Sequence, residues 1–520
     1  MALLEALESF DAVSLVRFIL LLAVTLGLAT SVQRLFFHPL SKYPGPWLNA
    51  ISPLPEVVAI VAGRQFAYHK RLHEKYGPVL RVSPDELIFC GPNAWDDIYG
   101  NKPGKPDMEK SPLTAGGLPP NMPARAMTQA KWDEHARQRK AWSYPFSNTA
   151  LMGQEPLIQM HVAKFIRELQ KFAAAGKAVN IADWLTFCTF DVIGELCFAE
   201  PFGCLDSGGA TEWSTSVYNI AIAGTLDQAT RRVAGVNTWL QRTMARWLIP
   251  VKYRHWREAH FRKSRETATR RLADKDRDHK DFVYYVLRNG TEAPLISELE
   301  LAMNTALFIG AGSETSAFAL TAWVNLMLRN PGPYKKLVNE IRGTIRSAAD
   351  ISWATVKELA YLEAVVNETL RLGMPAPSNL NRVAPEGGAY IDGNWVPGGT
   401  TVSVSTWAAT HLAQNFEDPL SFIPERFLKS EEHRFARDNK LAWQPFSYGP
   451  RGCIGKNLAN IEMRLIICQL LFHFDLEAPG GQEEVVNEQW TLEGDMKNMK
   501  SWLVWEKPAL WVRLREVSRA

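Results

Sequence analysis

The stretch Trp443-Gln444-Pro445-Phe446-Ser447-Tyr448-Gly449-Pro450-Arg451-Gly452-Cys453-Ile454-Gly455 decides how the rest of the chain is read. Its informative positions are Phe-x-x-Gly-x-Arg-x-Cys-x-Gly. A cysteine held among glycines suits a thiolate that must approach a flat, rigid group. Cys453 can offer that thiolate as the axial ligand of a haem iron. Gly449 and Gly455 let backbone pass where a Cβ would collide with the macrocycle. Arg451 has the planar fork that pairs with a propionate. Backbone N–H groups around the sulfur temper its charge and tune the iron's potential, and Phe446 is placed to shield it from water. A lone cysteine is by default a packing residue, and that is the reading for Cys90, Cys188, Cys197, Cys204 and Cys468.

Working upstream, LAMNTALFIGAGSETSAFALTAWVNLML at 301–328 is apolar nearly all round. Ser297-Glu298-Leu299-Glu300 before it has the form of a capping box, and Asn330-Pro331-Gly332-Pro333 stops it. The spacing predicts one helix between them, about 50 Å long at ~1.5 Å per residue, crossing the core. Gly310, Gly312 and the run Ser313-Glu314-Thr315-Ser316 interrupt its apolar surface. An acid and three hydroxyls at a buried centre are costly without a partner or a purpose. Read alone, they form either a satisfied core network or a site. Gly310-x-Gly312 also begins a dinucleotide fingerprint, but Thr315 stands where the last glycine belongs and no strand precedes.

Together the cysteine loop and this helix resemble the cytochrome P450 family, and further elements follow in the family's order. Glu368-Thr369-Leu370-Arg371 puts both charges on one helix face. Pro424-Glu425-Arg426-Phe427 supplies the arginine that closes the family's buried triad, so the resemblance implies a structural set of Glu368, Arg371 and Arg426. Ala311-Gly312-Ser313-Glu314-Thr315-Ser316 matches the oxygen-activation segment. That match implies Thr315 and Glu314 as the catalytic pair managing protons, with Ala311 and Gly312 leaving room for O2. DEHARQRKAWSYPFS at 133–147 is similar to the helix that carries Trp-x-x-x-Arg to the propionates. Here His135 takes the first position, departing from tryptophan, and Arg139 the second. Arg382 in NRVAPEGG resembles a further propionate arginine. The implied fold is mainly α with small β-sheets, and the implied cofactor is haem b on Cys453.

The N-terminus carries AVSLVRFILLLAVTLGLATSV at 12–32, long enough to span a bilayer and broken only by Arg17. Acidic Glu5, Glu8 and Asp11 precede it, whereas Arg34 and Lys42 follow, which favours a body on the cytosolic side. A cleaved signal is the competing reading, disfavoured by the acidic leader and the lack of a disulfide framework. FFHPLSKYPGPW at 36–47 is a stiff, proline-rich connector. The organisation is therefore an anchor over 1–34, a hinge over 35–47 and one haem-thiolate domain over 48–520. Within that domain, β-like stretches lie at 79–90 and 389–404.

Composition excludes more than it selects. With 520 residues, 46% hydrophobic and 22% charged, the chain is neither disordered nor disulfide-dense. Fifty-eight Lys and Arg against 55 Asp and Glu give no case for a nucleic-acid partner. Its 18 Trp, 24 Phe and 13 Tyr suit either a large apolar ligand or a large core. The basic run at 252–280, His255 and His260 read as solvated surface, and Arg137, Lys140 and Lys456 as charges over the cysteine loop that steer an acidic redox partner.

The resemblance implies a monooxygenase of the endoplasmic-reticulum membrane that hydroxylates a large apolar metabolite with O2. The stretch after Cys453 is too short for a flavin domain, so electrons are expected from a separate NADPH–cytochrome P450 reductase. The 36–47 entry is similar to that of fungal secondary-metabolism members. Substrate contacts are expected, by fold analogy, from 103–126, 304–310, 376–380 and 495–499. Two other readings stand beside this one. The first is the same scaffold with different chemistry, such as epoxidation, desaturation, oxidative coupling or isomerisation. The second is a haem-binding membrane protein without turnover.

Overall fold

Helix Glu298–Arg329 runs through the middle of the body, and the other elements are arranged around it. The computed structural model describes residues 12–102, 104, 107–115, 124–274, 278–288 and 295–518. The central helix starts and stops where its caps require. Ser297 Oγ accepts from the Glu300 amide at 3.2 Å, and a Glu300 carboxylate oxygen accepts from the Ser297 amide at 2.8 Å. Asn330 ends it ahead of Pro331. Helices Ile181–Phe198, Val251–Ala273, Ala360–Leu372 and Lys456–His473 pack against it, and Glu212–Ala234 crosses it.

A four-stranded sheet stands beside this helical body, in the order Val79–Ser83, Glu86–Phe89, Thr401–Val404, Arg382–Val383. Glu86–Phe89 pairs parallel with Thr401–Val404, Glu86 opposite Thr401. That pairing brings an early strand beside the late segment carrying Arg382. The hairpin Ala389–Ile391 with Asn394–Val396 completes what the 389–404 pattern predicts. A third sheet, Ala178–Asn180, Trp511–Glu516 and Phe474–Glu477, and the hairpin Ser501–Trp502 with Val504–Trp505 are not anticipated by the sequence. All but one of those strands run two to four residues, too short for alternation to be read.

Much of the aromatic content is core. Phe66 packs edge-on to Trp407 and Trp505 at 5.1 and 4.7 Å, and Phe318 stacks on Trp505 at 5.1 Å. Trp142, Trp323 and Trp490 are fully buried as well.

Among the described residues one helix, Val13–Phe37, is long and apolar enough to cross a membrane, and none of it is buried. Two of its hydroxyls are satisfied internally, Thr30 donating to Leu26 O and Ser31 to Gly27 O, as a lipid setting favours. Glu5, Glu8 and Asp11 lie outside the described residues. The helix runs further than expected, continuing as a wide-turned segment Gln33–Phe37, because the first helix-breaking proline is Pro39. The connector behind it is fastened to the body. Leu40 is buried, Tyr43 Oη donates to Trp395 O, and Pro44 O accepts from the Arg81 amide at 2.8 Å.

Two surface readings need correction. His260 is buried, accepting from Trp213 Nε1 at 3.0 Å and lying 3.0 Å from Ala306 O on the central helix, while His255 is exposed. Arg137 is not a free surface charge, because Glu300 and the Leu295 carbonyl hold it.

Candidate active site

The cysteine loop is built by its own backbone. The Cys453 amide donates to Phe446 O at 2.8 Å and the Gly452 amide to Gly449 O at 2.9 Å. Between them Ser447 and Gly449 adopt left-handed conformations, φ 61° and 72°. Helix Lys456–His473 begins immediately after the loop, with Gly455 as its N-cap. The sulfur therefore sits at a helix N-terminus, where orphan N–H groups favour negative charge. Close surroundings push the Cys453 thiol up, and the amides of Gly455 and Lys456 and the charge of Arg139 pull it down. Cys453 is the one exposed cysteine of six; the other five are buried, as their packing reading requires.

The two glycines of the motif do different things. A Cβ at Gly449 would lie 1.9 Å from Tyr99 O, so this glycine is required by the chain's own packing, where the sequence reading assigned it to a macrocycle. At Gly455 nothing but the Cys453 sulfur, 3.9 Å away, lies near such a Cβ, which leaves that flank open. Phe446 is half-buried and packs on the main core beside the loop.

Basic side chains converge next to this loop. His135 and Arg139 come from helix Trp132–Ser143, Arg382 from the sheet, Arg451 from the loop and Lys110 from a segment bridged to Arg382. Burial, then Arg451, Arg139, Lys110 and Arg382, push His135 down to about 4. Burial, Arg382 and Arg451 push Lys110 down to about 7. Arg382 and Arg451 are likewise lowered, chiefly by burial. Some donors are used: Arg139 Nη1 on Gly452 O at 2.7 Å, Arg451 Nη2 on Ala130 O at 3.1 Å, and Lys110 Nζ on Thr128 O at 2.6 Å. Arg451 Nε and Nη1 are buried with no partner among the described residues. Two such guanidinium donors, in a cluster where basic groups outnumber the acids Glu109 and Asp107, form a receptor for carboxylates. The residues present therefore fit a group that brings propionates beside a thiolate.

On the central helix Ala311 is exposed and Thr315 half-buried, between turns that are otherwise buried. Thr315 Oγ1 donates to Ala311 O at 2.7 Å. The buried Glu314 carboxylate is held by Lys507 Nζ at 2.6 Å, and Lys507 also donates to Thr186 Oγ1 at 2.9 Å. Gly312 does not leave open room as expected, since a Cβ there would lie 2.8 Å from Ile193 Cδ1; it lets helix Ile181–Phe198 approach. Ser316 bonds Glu462 of helix Lys456–His473, a carboxyl that burial pushes up to about 8.

Glu368, Arg371 and Arg426 come together with no exposed surface. Glu368 accepts from Arg371 Nε at 2.7 Å, Arg371 Nη2 at 2.8 Å and Arg426 Nε at 3.1 Å. The remaining guanidinium nitrogens reach carbonyls of Thr410, Pro419 and Glu417 and the carboxylate of Asp438.

The cytochrome P450 family profile matches residues 44–499. The chain is 50% identical over 498 residues to cytochrome P450 monooxygenase aba2 of Botryotinia fuckeliana, covering 95% of this chain and 94% of that one. It is 44% identical over 506 residues to cytochrome P450 monooxygenase ABA2 of Pyricularia oryzae, at 97% and 96% coverage. With cytochrome P450 monooxygenase astJ of Aspergillus oryzae it shares 38% over 495 residues, 94% of each. The chain belongs to the cytochrome P450 family.

As a P450 it is an oxidoreductase of the monooxygenase class, and the family implies haem on a cysteine thiolate, O2, an organic substrate and a redox partner. Three members of these clusters escape sequence reading in this P450. Lys110 and Lys507 carry no spacing signal, Lys507 lying 193 positions from Glu314. Asp438 joins the triad from a turn, not a motif. Some expected substrate contacts are internal instead. Asn304 is buried between Gln138 and the Met127 amide, Met496 and Met499 are core, and Asp495 is held by Lys70 and Trp407. Residues 103, 105, 106 and 116–123 of the 103–126 stretch lie outside the described residues. Ala376 and Leu380 are exposed, as a wall would be.

Proposed function

We propose that this enzyme inserts one atom of O2 into a C–H bond of a large apolar metabolite in fungal secondary metabolism, using haem b held by Cys453. The balance is one C–H bond, O2, two electrons and two protons giving C–OH and water. When bound, the haem supplies oxygen activation and hydrogen abstraction. The electrons come from an NADPH–cytochrome P450 reductase. Arg451, Arg382, Lys110, His135 and one arm of Arg139 bind the propionates, Arg451 through its orphaned Nε and Nη1. Those two donors, beside the one exposed cysteine, carry this reading.

Thr315 has its hydroxyl on the accessible strip of the central helix and hands a proton toward the oxygen side. Glu314 is joined to Lys507 at 2.6 Å, so the two act as one hydrogen-bonded unit behind the helix that relays protons toward Thr315. Ala311 and Leu380 contribute apolar surface to substrate.

The body faces the cytosol from the endoplasmic-reticulum membrane. Helix Trp239–Leu248 supports a membrane-facing side, since Trp247 is 82% exposed and Trp239 and Leu248 lie open beside Arg242 and Arg246.

Turnover with reductase, NADPH and candidate apolar metabolites tests the reading. An oxygenated product is expected, falling about 100-fold or more in Thr315→Ala while NADPH consumption continues. Undiminished product in that variant would contradict the role of Thr315.

A further inference from the structure

One buried carboxylate outside the catalytic constellation joins two walls. Glu86, at the start of strand Glu86–Phe89, is 2% exposed. Its Oε1 accepts from Arg232 Nη2 at 3.1 Å and from Asn381 Nδ2 at 2.7 Å, and its Oε2 accepts from Arg232 Nη1. Arg232 belongs to the last turn of helix Glu212–Ala234, and Asn381 precedes Arg382 of the cationic cluster. A parallel station lies alongside. Asn379 reaches His69 at 3.2 Å, and His69 reaches Glu56 at 2.8 Å. With Asn379 and Asn381 both drawn inward, Leu380 between them is left 39% exposed.

Helix Glu212–Ala234, about 35 Å long at ~1.5 Å per residue, bridges the central helix and the sheet. Near its start Val217 lies 3.2 Å from where a Gly310 Cβ would be, and midway Gly224 passes Leu503. Its far end is held by Arg232 on Glu86 and by Arg231 on the carbonyls of Pro112 and Leu113. The Glu86 hub is not saturated. Arg232 Nε and Asn381 Oδ1 are buried without partners among the described residues, unlike any polar atom of the Glu368 set. A junction already short of partners costs less to open than a saturated one.

We propose that Glu86 is a positioning residue for substrate. It fastens the end of helix Glu212–Ala234 to the wall 379–382, closing the helix over the side of the site where Leu380 and Leu503 are exposed. This rests on the monooxygenase reading for which side takes substrate, and goes beyond it in naming the fastening.

The test is hydrogen exchange on the haem-loaded full chain, comparing residues 225–234 with 158–169, a core-packed part of helix Asn148–Ala174, in Glu86→Gln, Asn381→Ala and Arg232→Lys. It is paired with stopped-flow dissociation of an apolar imidazole ligand followed at the Soret band. Glu86→Gln and Asn381→Ala should each raise exchange at 225–234 at least tenfold, leave 158–169 unchanged and speed ligand release at least tenfold at constant haem content. Arg232→Lys should keep most of the protection. Equal gains in both regions, no gain in either, or unchanged release from an opened helix would overturn the proposal. A wild-type chain that takes up no haem would sink the monooxygenase reading alone, because exchange at 225–234 still decides the fastening.

Discussion

Two clusters of buried charge in this P450 are built on opposite plans. Around Glu368 every guanidinium nitrogen of Arg371 and Arg426 has a partner supplied by the chain. Around Arg451 and His135 basic groups outnumber the acids Glu109 and Asp107, and two guanidinium donors are buried with no partner among the described residues. A saturated cluster is addressed to the protein itself, whereas an unsaturated one is addressed to a ligand. Desolvation of charge is met by internal pairing in the first and, in the function proposed above, by an incoming anion in the second.

The sharpest way to break the contrast is to remove the centre of the saturated set. Glu368→Ala strands two fully buried guanidinium groups, and a loss of about 3–5 kcal/mol is expected. Thermal unfolding or soluble yield reads that loss, and near-wild-type stability would place Glu368 outside the architecture.

Arg451→Met should do the reverse. The haem-free protein should unfold within about 1 kcal/mol of wild type, or later, since two unsatisfied donors are gone. Haem retention, followed by transfer to apomyoglobin, should weaken tenfold or more. A large loss of haem-free stability with unchanged retention would mean that the cationic cluster is structural.

The smallest effect is on pH. His135 has a folded value near 4 against about 6.5 unfolded, so between those values the unfolded chain binds the extra proton and stability falls as pH drops. The buried His73, His260 and His411 are lowered too and add to this slope. His135→Gln should make the fall between pH 6.5 and 4 shallower in haem-free protein. An unaltered slope would put His135 outside the field of its cationic neighbours.

What the sequence made legible follows the same divide. The central helix could be bounded to the residue because its caps are local, Ser297 with Glu300 at one end and Pro331 at the other. Cys453, Arg451 and the Glu368–Arg371 pair were legible because each lies within a short contiguous pattern. Lys110, Lys507 and Asp438 were not, since an ion pair between distant elements leaves no periodicity in either. Glycine was misread where only the tertiary neighbour decides its purpose: Tyr99 for Gly449 and Ile193 for Gly312. His260 reads as surface because its helix is strongly charged, yet one face of that helix packs on the core.

In the proposed enzyme Cys453 presents a thiolate to haem iron, in a body that the rest of the chain folds without it. The reduced carbon-monoxide difference spectrum of wild type and Cys453→Ser, with far-ultraviolet circular dichroism alongside, tests it most directly. Wild type should show the Soret band at the thiolate-ligated position, and the variant should lose it while keeping helical content and a cooperative unfolding transition. The same band in folded Cys453→Ser would contradict the assignment.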